Sequence, residues 1–172
     1  MLRKKSKRHF YIVTVIVVLL VIWTAWSNTT VGITHYTVAS DKLPASFDHY
    51  SIVVVSDLHN AEFGENNSQL IKLIEKEKPD IIVITGDLVD SNKTNIDIAQ
   101  KLVGTLTGIA PCYYVTGNHE AWLGEQYQEL ESILLDEGVA ILHDRAVQLI
   151  KNTESIQLAG LDDPDFTDRA PL

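Results

Sequence analysis

Apolar positions fall into two regimes along the chain. Residues 10–26 ("FYIVTVIVVLLVIWTAW") form one uncharged run, whereas later apolar residues come in short bursts between polar segments. Residues 52–55, 81–85 and 113–116 are continuous apolar runs, the pattern of strands buried on both faces. The segments between them have helical spacing. "NNSQLIKLIEKEKP" places Leu70, Ile71, Leu73 and Ile74 on one face and Lys/Glu on the other, and Pro79 closes it. "NIDIAQKLVGTL" predicts a second helix, weakened by Gly104, and "EQYQELESILLDEG" a third that ends on Gly138 as its cap. Strand–helix alternation of this kind predicts an α/β fold with a largely parallel sheet and right-handed crossovers. Two further regions are read as β. The β-branched "THYTVAS" (34–40) predicts a first strand, followed by a Pro-centred loop; "VAILHD", "AVQLI" and "SIQLAGLDD" predict an antiparallel meander with a turn at 151–154.

The long uncharged run changes the picture of the N-terminus. Residues 1–9 carry five Lys/Arg and no acid, and the run at 10–26 has the minimum length of a membrane-spanning helix. Basic residues stay on the cytoplasmic side, and Trp23 and Trp26 suit the far interface. The expected organisation is therefore a cytoplasmic basic tail (1–9), a transmembrane signal anchor (10–26) and a linker with the first strand (27–47). A domain over 48–172 then lies outside the cytoplasmic membrane. A cleaved signal peptide is the competing reading, with Ala25 and Ser27 forming a weak cleavage site. Beyond residue 26 there are nine basic against 23 acidic residues, which excludes nucleic acid as the main partner because phosphate backbones would repel such a body. Cys112 is the one cysteine, so no internal disulfide exists and a buried packing role is expected.

Candidate chemistry sits where the apolar runs end. "SIVVVSDLHN", "DIIVITGDLVD" and "CYYVTGNHE" each pass from an apolar run through small residues into carboxylate, amide or imidazole. In open α/β sheets, ligands bind at the carboxyl ends of the strands. Asp57 and His59 are one residue apart, so extended geometry would point both to one side. A carboxylate with an imidazole suits a borderline divalent ion such as zinc, manganese or iron. Asp87 follows Gly86, which permits a tight turn and close backbone approach; Asn118 and His119 follow Gly117. Each feature alone also reads as an ordinary turn or cap. Three in order, each closing a buried strand, point to one shared site.

In these three motifs the chain resembles the calcineurin-like metallophosphoesterases, and most closely their membrane-anchored or exported bacterial branch. That family's pattern runs Asp-x-His, Gly-Asp-x-x-Asp, Gly-Asn-His-Asp/Glu, matched here by "SDLH", "GDLVD" and "GNHE" over about residues 48–163. The resemblance implies an α/β/β/α sandwich hydrolysing phosphate mono- or diesters with two divalent metal ions. It places Asp57 and His59 on the first metal, Asp87 between the two and Asn118 on the second. His119 would be the general acid or phosphate stabiliser, with Asp90 orienting it. The chemistry is consistent: paired cations about 3.5–4 Å apart clamp a phosphoryl group and acidify a water, and an imidazole with a fixed tautomer donates to the leaving oxygen. Asp90 equally suits a cap on the helix near Asn95 or a turn closure.

The family's later His and Gly-His-x-His ligands have no counterpart here. The remaining histidines are His9, His35, His49 and His143, the last read as a surface or strand-end residue. The domain is accordingly expected to be C-terminally incomplete, a partial sandwich with impaired activity. The alternative function is a catalytically inactive, membrane-tethered binding module on the same scaffold. A nucleotide-binding doubly wound domain finds no G-x-G-x-x-G or Walker sequence in support.

Overall fold

Helix α1 spans Leu2–Thr29 and contains the whole uncharged run. Thr14 Oγ1 donates to the Phe10 carbonyl and Thr24 Oγ1 to that of Leu20, at 3.0 and 2.9 Å, so these hydroxyls are satisfied within the helix itself. Apolar side chains from Phe10 to Trp23 are exposed. Among the described residues no helix is long and apolar enough to cross a membrane, so the transmembrane helix expected at 10–26 is not assigned. The computed structural model describes residues 2–167 and separates into two compact units, Met1–Thr34 and His35–Leu172.

The second unit is mixed α/β. Strands β1 (Ile52–Val55), β2 (Ile81–Thr85), β3 (Cys112–Val115) and β4 (Ala140–Ile141) form a parallel sheet in sequential order. Between them run α2 (Ser68–Glu77), α3 (Ile96–Leu106), and α4 (Asn118–Trp122) with α5 (Tyr127–Asp136). Gly104 lies inside α3 without breaking it. Gly138, at φ +84°, ends α5 as foreseen: its N–H reaches the Leu135 carbonyl and that of Val139 the Leu134 carbonyl, the paired bonds of a Schellman cap.

Sequential parallel order decides where the layers go. Crossovers of one hand between successive neighbours put their helices on the same sheet face. Ile82, Ile84, Cys112 and Tyr114 are buried on that face, in register across β2 and β3, together with Leu102 and Leu106 of α3 and Leu130 and Leu134 of α5. The opposite face is covered in part by an antiparallel hairpin, β5 (Ala146–Lys151) and β6 (Glu154–Ala159), while Ile52 and Val54 of β1 stay exposed on it. Leu149, Ile156 and Leu158 of the hairpin pack with Phe47, Ile81, Val83 and Tyr113.

Two β expectations are corrected. Residues 34–40 form no strand: the β-branched run meets no partner, and Tyr36 and Val38 stay 87% exposed. "VAILHD" does not open a meander, because β4 leaves the α5 cap and pairs parallel with β3. Only the last two runs are antiparallel, joined by the expected turn at 151–154. Cys112 is buried and free, and burial pushes its thiol up to about 11.

Candidate metal centre

All three motifs leave the carboxyl edge of the sheet, and neighbouring junctions are tied by backbone bonds. Asp57 N–H donates to the Gly86 carbonyl at 3.3 Å, His59 N–H to that of Asp87 at 2.8 Å, and Asn60 N–H to that of Leu88 at 3.3 Å. Asp57 and His59 do not converge through extended alternation, as the sequence suggests. Their φ angles are +53° and +47°, and that of Asp87 is +50°. Left-handed backbone at non-glycine positions is uncommon and persists where its surroundings enforce it. Here it turns all three side chains toward one another. One ligand atom from each of Asp57, His59 and Asp87 lies within 4.8 Å of the others.

The second and third junctions touch through their glycines. A Cβ on Gly86, itself at φ +81°, would overlap the Gly117 backbone, and one on Gly117 would overlap Asp87. Glu120 fastens the contact. Fully buried, its carboxylate accepts from the backbone N–H groups of Asp87 (2.7 Å), Leu88 (2.9 Å) and Gly117 (2.8 Å). The Gly117 bond is the N3-to-N-cap half of a capping box on α4. His119 N–H in turn donates to Asp87 Oδ1 at 2.9 Å, leaving Oδ2 to face His59 Nε2 at 3.8 Å. Asn118 lines a cavity of about 630 Å³ together with Asp57 and Asp87.

His119 and Asp90 are brought together, with a difference in detail. Asp90 Oδ1 lies 4.0 Å from His119 Nδ1. The donor to that nitrogen is the Ser91 backbone N–H at 3.1 Å. A backbone N–H only donates, so Nδ1 is the acceptor and the neutral ring carries its proton on Nε2. Asp90 instead closes the turn that presents Ser91, accepting from Asn92 N–H at 2.7 Å and Lys93 N–H at 3.3 Å. Those backbone donors, Asn92 first, hold its carboxyl below the usual range. The rings of His59, His119 and Trp122 form a row, with centroids 4.4 and 5.0 Å apart.

The donor set fits a divalent cation. His59 Nδ1 is buried without a hydrogen-bond partner, and its Nε2 stands beyond hydrogen-bond range of the nearest carboxylate. An imidazole left unpaired between two carboxylates is the arrangement a borderline cation completes. Sequence reasoning assigned no role to Glu120, although its place three residues after Gly117 is a capping-box position. Nor did it find Asp162 or the partners of His143, which stands just after β4 as a half-buried strand-end residue between Asp162 and Glu131. Nothing local in "GLDD" signals that contact.

The family model for calcineurin-like phosphoesterases matches residues 50–166. The chain belongs to that family. It is 34% identical over 132 residues to an uncharacterized metallophosphoesterase of Aquifex aeolicus, covering 76% of this chain and 48% of that relative. It is 31% identical over 127 residues to the uncharacterized metallophosphoesterase YkoQ of Bacillus subtilis, covering 72% and 46%. To a transmembrane protein with metallophosphoesterase domain from Bos taurus it is 29% identical over 169 residues, covering 94% and 38%. The chain thus spans about half the length, or less, of these curated relatives.

Proposed function

We propose that this chain is a metal-dependent phosphoesterase domain acting on phosphate mono- or diesters. One observation carries the reading: Asp57, His59 and Asp87 bring ligand atoms within 4.8 Å of one another, and the imidazole among them has a buried Nδ1 with no hydrogen-bond partner. Asp57, His59 and Asp87 would hold the first divalent cation, Asp87 and Asn118 the second; manganese, iron and zinc all suit these donors. When bound, the cations supply positive charge to a phosphoryl group and make a water more acidic. The chain's own residues do the rest. Asp87, fixed through Oδ1 by His119 N–H, keeps Oδ2 turned to the site. His119 donates its Nε2 proton to the leaving oxygen, its tautomer fixed by Ser91 N–H. Asp90 acts on His119 through the turn it closes.

Asp57, His59, Asp87 and Asn118 fall short of the four to six donors that each of two such ions takes, waters included. Hydrolysis by this chain alone is therefore proposed to be slow. The membrane reading rests on the uncharged run at 10–26, its helicity and the internally satisfied threonines. A related protein named as transmembrane adds to it. In that topology the phosphoesterase domain is extracytoplasmic.

The test is a Mn²⁺ titration and an aryl phosphate assay on the full chain in detergent, beside a full-length family member. Stoichiometric Mn²⁺ binding with weak turnover is expected. Absence of any Mn²⁺ binding overturns the metal reading, and turnover equal to the full-length relative overturns the impairment.

A further inference from the structure

The buried carboxylate of Asp162 lines the same cavity as Asp57, Asp87 and Asn118, yet both its oxygens are engaged by the protein. Its Oδ1 accepts from Thr116 N–H at 3.0 Å and Thr116 Oγ1 at 2.8 Å, and its Oδ2 faces His143 Nδ1 at 2.6 Å. The side chain is 2% exposed. Two consecutive backbone donors at the third junction thus end on different buried carboxylates, Thr116 on Asp162 and Gly117 on Glu120. Asn118 is the next residue. The two residues before it are thus fixed by separate carboxylates.

The opposite end of this chain of contacts is charged. His143 Nε2 lies 2.9 Å from Glu131 Oε1 while Nδ1 faces Asp162, and carboxylates only accept. An imidazole with acceptors on both nitrogens donates to both only as imidazolium. The groups facing it are Glu131 and Tyr127 from α5, Asp162 from the segment after β6, and the ring of Phe166, stacked at 5.6 Å, from α6 (Pro164–Thr167). We propose that Asp162 is a positioning residue for the Thr116–Gly117–Asn118 turn, and that protonated His143, anchored by Glu131, holds it in place. This deepens the metal-site reading and rests on it for the consequence at Asn118.

Two readouts on the full chain in detergent test it: Mn²⁺ affinity, and amide hydrogen-exchange protection at Thr116 and Gly117 measured at pH 6 and pH 8. Asp162→Asn is expected to lower Mn²⁺ affinity by about tenfold, the low end for a residue that orients a ligand, and to lower protection at Thr116, because the remaining amide oxygen is uncharged and no longer held by an imidazolium. His143→Gln is expected to abolish the difference in Thr116 protection between the two pH values that the wild type shows. A folded Asp162→Asn protein with unchanged Thr116 protection and affinity within about twofold of wild type overturns the positioning role. An unaltered pH response in His143→Gln overturns the role of the histidine. Should Asp162→Asn fail to fold, Thr116→Val removes only the hydroxyl contact; lowered Thr116 protection supports the proposal and unchanged protection overturns it. A wild type that binds no Mn²⁺ sinks the metal reading instead, and protection at Thr116 then decides the positioning role by itself.

Discussion

The first and third junctions are built on opposite principles. At the third, the backbone N–H groups of Thr116, Gly117 and His119 each end on a carboxylate, those of Asp162, Glu120 and Asp87. At the first, Asp57 is exposed and takes a hydroxyl from Ser56, and neither ring nitrogen of His59 has a hydrogen-bond partner. The third junction is ordered by the protein; the first is shaped by its backbone and left chemically open. A cation site divided in this way has a preformed wall and a receptive one. Removing a group from the wall should damage the fold, whereas removing one from the open side should damage binding.

The largest break in that contrast is Gly86→Ala. A methyl there meets the Gly117 backbone and also demands a left-handed alanine. Overpacking of about 1–3 kcal/mol adds to about 1–2 kcal/mol for the backbone, so a loss of about 3 kcal/mol is expected in urea unfolding. A loss below about 0.5 kcal/mol would show that the two junctions are not in rigid contact.

Next in size is the response to metal. Mn²⁺ at about a hundred times its dissociation constant should stabilise the wild type by about 2.7 kcal/mol. Asp57→Asn should lose most of this gain. Without Mn²⁺ the same variant should be as stable as the wild type, or more stable by about 0.5 kcal/mol, because a charge facing another carboxylate has gone. Marked destabilisation of the cation-free Asp57→Asn protein contradicts the open character of the first junction. Glu120→Gln should behave in the opposite way. It turns an amide NH₂ toward backbone donors and should cost about 2 kcal/mol even without metal. Thermal or urea unfolding of the two variants side by side separates wall from opening.

How much of this could be read beforehand depends on the range of the interaction. The strands at 52–55, 81–85 and 113–116 and the three helices were legible because continuous apolar runs and helical spacing are local patterns, although Ile52 and Val54 of the first strand are exposed rather than buried. So was the gathering of Asp57, Asp87 and Asn118 at one edge, since consecutive parallel strands bring their carboxyl ends together. The 34–40 run misled because β propensity requires a partner strand, and none is there. The left-handed turns at Asp57, His59 and Asp87 were hidden for a different reason: Asp and His tolerate that conformation without requiring it, and bonds between junctions select it. Asp162 and His143 illustrate the limit. Their contact joins the end of β4 to the segment after β6, 19 positions apart, and Asp162 reaches Thr116 across 46. Neither spacing is a motif.

The smallest effect expected is also the one that tests whether the third junction is held by charge. Burial lowers the His143 pKa, but the hydrogen bonds it donates to Asp162 and Glu131 outweigh it and leave the value raised above 6.5. A group whose pKa is higher in the folded than in the unfolded state stabilises the fold fully below the unfolded value. That contribution disappears as pH rises through the folded value. Stability should therefore decline above pH 6.5 by about 1.5 kcal/mol, the low end for one charged hydrogen bond lost when the neutral ring retains a single N–H. The decline should be absent in His143→Gln and reduced in Glu131→Gln, which removes one of the two negative charges facing the ring. Urea midpoints across pH 6 to 9 read this directly. A wild-type curve that is flat, or one that rises, means the third junction is secured by hydrogen bonding that does not require the imidazolium, and the difference between the two junctions is then one of geometry alone.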